Sequence, residues 1–255
     1  MKNSNKVIQK RREQIIKILQ SIESSTISEL SDKLSVSEMT IRRDCTVLSS
    51  MGLIEQTFGK ISILPENDEA NNDITALHSI RNKIAQKAAN FIENGQIIFI
   101  NTSATAIQTI KFLTDKTFII LTNNLKALEF TYNPESTLFL AGGEVRTPKK
   151  ALVGDLAFNS FHTMRADVGI IGCTGLDSEM GISTSQIHEA RINREIIKNS
   201  AKLILVADYR KIGTPSNFSI GNFDDIDLLI TDSFANEETL RLLRKRGVEV
   251  IQVPI

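Results

Sequence analysis

A chain of 255 residues is longer than one average domain and shorter than three, so a small module joined to a larger one is the natural division. Hydrophobic residues make up 41% of the chain and charged residues 24%, which excludes disorder as the main state, and no apolar run reaches the roughly 18 residues of a membrane helix. The formal net charge is zero, yet residues 1–64 carry +3 and the remainder −3, so the cationic excess that attracts nucleic acid sits on the N-terminal piece.

Ile8, Ile15, Leu19 and Ile22 keep helical spacing and predict an amphipathic helix over about residues 6–22. Lys10, Arg11, Arg12, Glu13 and Lys17 interrupt that stretch, which removes any signal-peptide core, so a cytoplasmic location and no membrane partner are expected. Thr26 and Glu29 form a capping box for a second helix marked by Ile27, Leu30 and Leu34. After a turn at Ser35 and Val36, Ser37 caps a third helix whose inner face is Ile41, Cys45 and Leu48 and which ends near Met51 and Gly52. Extended pieces at 53–56 and 61–64 then read as a hairpin, and three helices with a hairpin make a winged helix over residues 1–64. Residues 65–75, polar and acidic, read as a linker to a domain over 76–255.

In that second part a helix over about 77–93 precedes short apolar runs at 97–101, 118–122, 137–141, 167–172, 203–208, 226–231 and 248–253. Helical stretches at 103–113, 124–131, 185–200 and 236–246 fall between them. Runs of this kind are strands buried on both faces, and the alternation predicts an α/β fold with a doubly wound, mainly parallel sheet.

At 100° per residue, Met39, Arg42, Arg43 and Thr46 fall opposite the inner face of the third helix. An arginine pair alone describes an ordinary solvated face. Within helix, turn, helix and hairpin it has the guanidinium forks that bond guanine edges or clamp phosphates. The loops after the strands collect hydroxyl groups, amides and glycines: Thr102, Ser103 and Thr105, then Thr122 with Asn123, Gly142 with Gly143, Thr174 with Gly175, and Asp208 with Arg210 and Lys211. In a doubly wound sheet such loops lie where anionic ligands bind, although the same residues also form plain turns.

The run ISELSDKLSVSEMTIRRDCTVLSSMGLIEQTFG at 27–59 resembles the winged helix-turn-helix of the DeoR family of bacterial regulators. That resemblance implies Ser37, Met39, Thr40, Arg42 and Arg43 at a double-stranded DNA operator, and Thr46 joins them by its place on the outer helix face. Gln56, Phe58, Gly59 and Lys60 stand where the family's wing has an arginine, a histidine and paired glycines, leaving Lys60 to supply a wing contact. IAQKAANFIENGQIIFINTSAT, TNN, AGGEVR, VGDLA, GCTGLDSEMGIST, EARINREII and DYRKIG resemble the family's sensor domain, which has a ribose-5-phosphate isomerase-like fold. The resemblance implies a phosphorylated sugar or sugar-alcohol effector held by Asn101, Thr102, Ser103, Ala104, Thr105, Thr122, Asn123, Gly142, Gly143, Thr174, Gly175, Glu189 and Lys211, with Lys211 on the phosphate. Asn101, Ala104 and Arg210 replace the family's usual aspartate, glycine and serine, and Arg210 adds a charge favouring a more anionic ligand.

Glu189 has an alternative role in a helix ion pair with Arg191 or Arg194. His78, His162 and His188 are scattered, and Cys45 and Cys173 lack partners at ligand spacing, so no metal, disulfide or cofactor is expected. The family resemblance implies a repressor, and helix-turn-helix proteins pair over two half-sites, so a dimer or tetramer is expected. The competing reading is a sugar-phosphate isomerase fused to a DNA-binding module, with Asp177, Glu189 or Asp208 as base.

Overall fold

The computed structural model describes residues 11–12, 14–19, 22, 24–50, 54–57, 60–63 and 68–255, and the chain divides into two units, Met1–Thr75 and Ala76–Ile255. In the first unit α1 is helical at residues 11–12 and 14–19; the rest of the predicted 6–22 helix up to residue 10 lies outside the described residues. Strand β1 (Ser25–Thr26) leads into α2 (Ile27–Leu34), and the capping box forms as expected, with Thr26 Oγ1 accepting from the Glu29 amide and the Glu29 carboxylate accepting from the Thr26 amide. Ser35 closes α2 in the left-handed region at φ 51°, while the Ser31 hydroxyl donates to the Val36 carbonyl to hold the turn. Helix α3 (Glu38–Ser50) follows, then β2 (Ile54–Thr57) and β3 (Lys60–Ile63), which pair antiparallel. β1 adds to the other side of β3, giving a three-stranded wing sheet. Residues 51–53, 58–59 and 64–67 are not described, so the predicted helix end at Met51 and Gly52 and the wing tip at Phe58 and Gly59 lie outside the description.

Ile15, Leu19, Leu30, Ile41, Cys45, Leu48, Ile54 and Ile61 form the core of this unit. Among the described residues its one buried acid is Asp44, 2% exposed, whose carboxylate takes Arg11 Nε at 2.6 Å and Arg12 Nε at 2.8 Å. Two arginines of the basic N-terminal excess therefore tie α1 to α3 inside the unit.

Helix α4 (Asp68–Ala89) begins nine residues earlier than the sequence indicates, so 68–75 of the expected linker are helical. The second unit then builds a seven-stranded sheet from β4 (Ile97–Ile100), β5 (Ile119–Thr122), β6 (Thr137–Leu140), β9 (Ala166–Ile171), β12 (Ser200–Val206), β14 (Leu228–Asp232) and β15 (Glu249–Val253). The order is β15-β14-β12-β9-β4-β5-β6, and every pairing is parallel. The pleat sorts the apolar runs into two layers. Ile98, Ile100, Ile204, Val206, Leu228 and Ile230 face α4, whereas Phe99, Leu203, Leu205 and Leu229 face α5 (Asp155–His162), α6 (Ile187–Lys198) and α7 (Glu237–Lys245).

The expected helices at 103–113 and 124–131 are shorter, tighter 3-10 turns, Ala106–Phe112 and Leu125–Glu129. Two small antiparallel additions escaped the sequence reading because most of their short strands mix polar residues and glycine with apolar ones: the hairpin β7 (Glu144–Arg146) with β8 (Ala151–Val153), and a sheet of β10 (Gly175–Asp177), β11 (Gly181–Thr184) and β13 (Phe218–Gly221). No helix among the described residues is long and apolar enough to cross a membrane.

Candidate DNA interface and ligand cleft

On α3 the inner residues Ile41, Cys45 and Leu48 are buried, and Ser37, Met39, Arg42, Arg43 and Thr46 are exposed, with Thr40 half-buried. Ser37 Oγ accepts from the Thr40 amide at 3.3 Å and fixes the helix start. Arg42 lies 3.9 Å from Glu38, an exposed i,i+4 pair whose strength of about 0.3–0.5 kcal/mol leaves the guanidinium free to turn toward another partner. Lys60 of β3 shares a surface depression with Thr26, Ser28, Glu38 and Arg42, so the wing cation and the helix arginine address one surface. Met39, 64% exposed, offers an apolar tip of the kind that meets a thymine methyl.

In the second unit the chain runs from β4 outward through β5 and β6, then returns to β9 on the other side and continues to β12, β14 and β15. The switch point is therefore between β4 and β9, and a cleft of about 320 Å³ opens there at the carboxyl ends of the strands. Asn101, 2% exposed, staples the two strand ends: its Nδ2 donates to the Gly172 carbonyl at 2.9 Å and to Asn193 Oδ1 at 3.2 Å, while its Oδ1 accepts from the amides of Ser103 and Gly172. Both donors and both acceptor sites are occupied, so Asn101 shapes the cleft rather than offering a group to a ligand. A Cβ on Gly172 would sit 2.1 Å from Ser103 Oγ, so only glycine lets that loop close over β9. Ser103 Oγ accepts from the Thr105 and Ala106 amides and starts the 3-10 turn. Ala104 keeps a negative φ, so its methyl group costs no backbone strain in place of glycine.

Asn101, Thr102, Ser103, Ala104, Thr105, Thr174, Glu189 and Lys211 line the cleft; Thr122, Asn123, Gly142, Gly143 and Gly175 do not. Thr122 Oγ1 accepts from the Asn124 amide, and Asn123 exchanges two hydrogen bonds with Leu152, so this loop holds β8 in place. Gly143, at φ 119°, passes so near Val153 that a Cβ would lie 2.2 Å from its carbonyl oxygen. Gly175 pairs with Ser183 within β10 and β11. The loops after β5 and β6 belong to strands on one side of the switch point, and their turn-forming residues serve the β7–β8 hairpin.

Sequence reading passed over Arg81, Lys126, Lys149, Thr184 and Asn193, all of which line the cleft, as does Asp208 of the loop after β12. Arg81 Nε meets Asp208 at 3.1 Å, and Lys149 Nζ meets Glu189 at 3.2 Å. Glu189 is 7% exposed and pairs with Lys149, not with Arg191 or Arg194, which bond Asp155 and the Ser219 carbonyl. Arg210 lies outside the lining and bonds Asp208 at 2.9 Å, so its charge is neutralised locally instead of strengthening the cleft. Among the described residues Lys126 and Lys211 have no carboxylate at ion-pair distance, which leaves four cations facing two acids. Cys173 also lines the cleft; burial pushes its thiol up to about 12, which leaves it protonated and a poor nucleophile at neutral pH.

Burial pushes the Asp208 carboxyl up, but hydrogen bonding to Arg210 and the charge of Arg81 reverse this and hold it below the usual carboxylate range. A depressed folded value adds stability that is complete above the unfolded pKa of about 3.9 and disappears as pH falls through the folded value. Asp208→Asn is therefore expected to lower stability at pH 7 by about 1 kcal/mol, a figure kept small because both partner arginines are partly exposed. The deficit closes below about pH 4. Urea midpoints of variant and parent measured side by side from pH 7 to pH 3 check this, and a constant gap across the range would refute it.

The winged helix with its exposed guanidinium groups and the cationic cleft at a switch point define a class: a DNA-binding regulator that carries its own ligand sensor. Residues 11–66 match the DeoR-like helix-turn-helix domain, and residues 78–233 match the DeoR C terminal sensor domain. The chain belongs to the DeoR family of transcriptional regulators. It is 31% identical to the HTH-type transcriptional regulator GolR of Listeria innocua, covering 94% of this chain and 96% of that one. It is 29% identical to the glycerol-3-phosphate regulon repressor of Escherichia coli, covering 87% and 90%. The ribose 5-phosphate isomerase of Methanocaldococcus jannaschii aligns with 52% of this chain and 54% of its own at 13% identity, with a TM-score of 0.38.

Proposed function

We infer that this regulator represses genes of carbohydrate or polyol-phosphate use, and that a phosphorylated sugar or sugar alcohol in the cleft modulates its grip on DNA. The observation that carries the ligand reading is the charge imbalance at the switch point: Arg81, Lys126, Lys149 and Lys211 against Asp208 and Glu189. Relatives named for a glycerol-3-phosphate regulon and an aga operon support the substrate class. Paired helix-turn-helix units over two half-sites call for a dimer or tetramer, joined through sensor domains whose Phe139 and Leu156 are 48% and 67% exposed. Cytoplasmic action on DNA follows from the same reading. Isomerase chemistry would need a free carboxylate base, and both acids in the cleft are engaged by cations, while Asp177 lies outside its lining.

Thermal unfolding of the full chain with glycerol 3-phosphate, ribose 5-phosphate and glucose 6-phosphate tests the assignment. A ligand at 100 times its Kd adds about 2.7 kcal/mol, which raises Tm by roughly 5–10 °C for a unit of this size. Lys211→Ala removes a charge-assisted contact of about 1.5–3 kcal/mol and should cut that rise by half or more. An undiminished rise would take Lys211 out of the site, and no rise with any phosphate in the parent chain would sink the effector reading.

A further inference from the structure

We propose that Arg81 is both a ligand-contacting residue and the point through which cleft occupancy reaches the DNA-binding unit, because it exchanges Asp208 for the anionic ligand and sits on the helix that connects the units. This rests on the effector reading above. Among the described residues Arg81 is the one that α4 contributes to the cleft lining, and α4 runs from Asp68, within the first unit's residues, to Ala89 in the second.

The exchange is feasible because Asp208 has two guanidinium partners. Arg81 Nε holds Oδ2 at 3.1 Å, while Arg210 holds Oδ1 at 2.9 Å and also approaches Oδ2 at 3.4 Å. An incoming phosphate can take Arg81, and the buried carboxylate still has Arg210, so no uncompensated charge is left behind. A phosphate dianion competes well with a monoanionic carboxylate for a guanidinium, since it offers more charge and more acceptor oxygens.

The position of Arg81 makes the exchange consequential. Ile84, Ala85 and Ala88 are buried, and Lys83 donates to the Pro254 carbonyl at 3.1 Å, so the C-terminal turns of α4 are fixed to the sensor. Ile80 is the most N-terminal buried residue of α4 among those whose burial is described. Arg81 thus follows Ile80 directly, within the turns of α4 that are anchored to the sensor core, on a helix whose first residues belong to the DNA-binding unit. A ligand couples to DNA only if it prefers one of two arrangements, and the two partners of Arg81 supply two arrangements of this turn.

The test uses the full chain and a duplex that the parent protein selects from a random-sequence library. DNA affinity is measured with and without saturating glycerol 3-phosphate, ribose 5-phosphate and glucose 6-phosphate, alongside the thermal shift each gives. In the parent chain at least one phosphate should change DNA affinity about tenfold. Arg81→Gln should bring that ratio near one while the same phosphate still raises Tm, and Arg81→Lys should restore part of the ratio. Asp208→Asn, which frees Arg81 without removing it, should shift DNA affinity without ligand in the direction the ligand shifts the parent. An Arg81→Gln protein that keeps the parental ratio at saturation overturns the proposal, as does an Asp208→Asn protein whose ligand-free DNA affinity equals the parent's. A parent thermal shift with no change in DNA affinity also overturns it and leaves ligand binding intact, whereas no thermal shift with any phosphate overturns both.

Discussion

Replacing Arg42 and Arg43 together by alanine is expected to lower operator affinity of the full chain by about 10²- to 10⁴-fold while leaving its unfolding curve unchanged. The expectation follows from the division of α3. Its apolar face, Ile41, Cys45 and Leu48, is buried in the unit's core, whereas both arginines are exposed, with nothing stronger among the described residues than the 3.9 Å Glu38 contact of Arg42 to give up. Single variants separate the two roles. An arginine on a base edge costs about 1–3 kcal/mol and relaxes one operator position, while an arginine on phosphate weakens all sequences alike and reduces the salt slope by about one. Anisotropy titrations at several salt concentrations give both quantities, and a double variant that binds like the parent would remove α3 from the interface.

Asp44→Ala is expected to loosen the DNA-binding unit by about 2–4 kcal/mol, the largest stability effect of any single substitution discussed. Its carboxylate is 2% exposed and is the shared acceptor of Arg11 and Arg12, whose side chains are 17% and 25% exposed. Removing it strands two partly buried guanidinium groups beside each other and cuts the tie between α1 and α3. Breaking a buried ion pair costs about 3–5 kcal/mol, and the partial exposure of both arginines brings the figure down. Cys45 is a convenient reporter, because it is fully buried next to Asp44 and burial raises its thiol to about 11. Labelling of Cys45 in the intact protein, followed by mass spectrometry, should run on the order of 100-fold faster in the variant. Equal labelling rates would show that the two arginines find water or other acceptors at no cost.

Much of the DNA-binding unit was legible because its signals are local. The Thr26 and Glu29 capping box, the turn at Ser35 and the helical spacing of Ile41, Cys45 and Leu48 each depend on residues within a few positions of one another. The apolar runs of β4, β5, β9, β12 and β14 were equally plain, since strands buried on both faces carry little else. The first residues of α4 were misread as linker because polar, asparagine-rich composition resembles a loop when the helix it joins is not taken into account.

The ligand cleft was only half legible. Thr102, Ser103 and Thr174 were found by the chemistry of their loops, but the same chemistry at Thr122, Asn123, Gly142 and Gly143 serves hairpin turns, and composition does not distinguish the two uses. Arg81, Lys126 and Lys149 come from a helix and from turns remote in sequence, where a cation reads as a solvated surface charge. Likewise Arg11 and Arg12 counted toward the cationic excess of residues 1–64, yet bond to the buried Asp44.

The helices of the DNA-binding unit, the Thr26 cap, the strands of the large sheet and the outward arginines of α3 follow from the sequence alone, because each depends on side chains a few residues apart. Tertiary structure decided the strand order that puts the switch point between β4 and β9, and with it which loops and cations converge there. The physical reason is that a charge acquires its role from its partner. Arg12 meets Asp44, Arg81 meets Asp208 and Lys149 meets Glu189 across 32, 127 and 40 positions of chain, separations at which no local pattern exists.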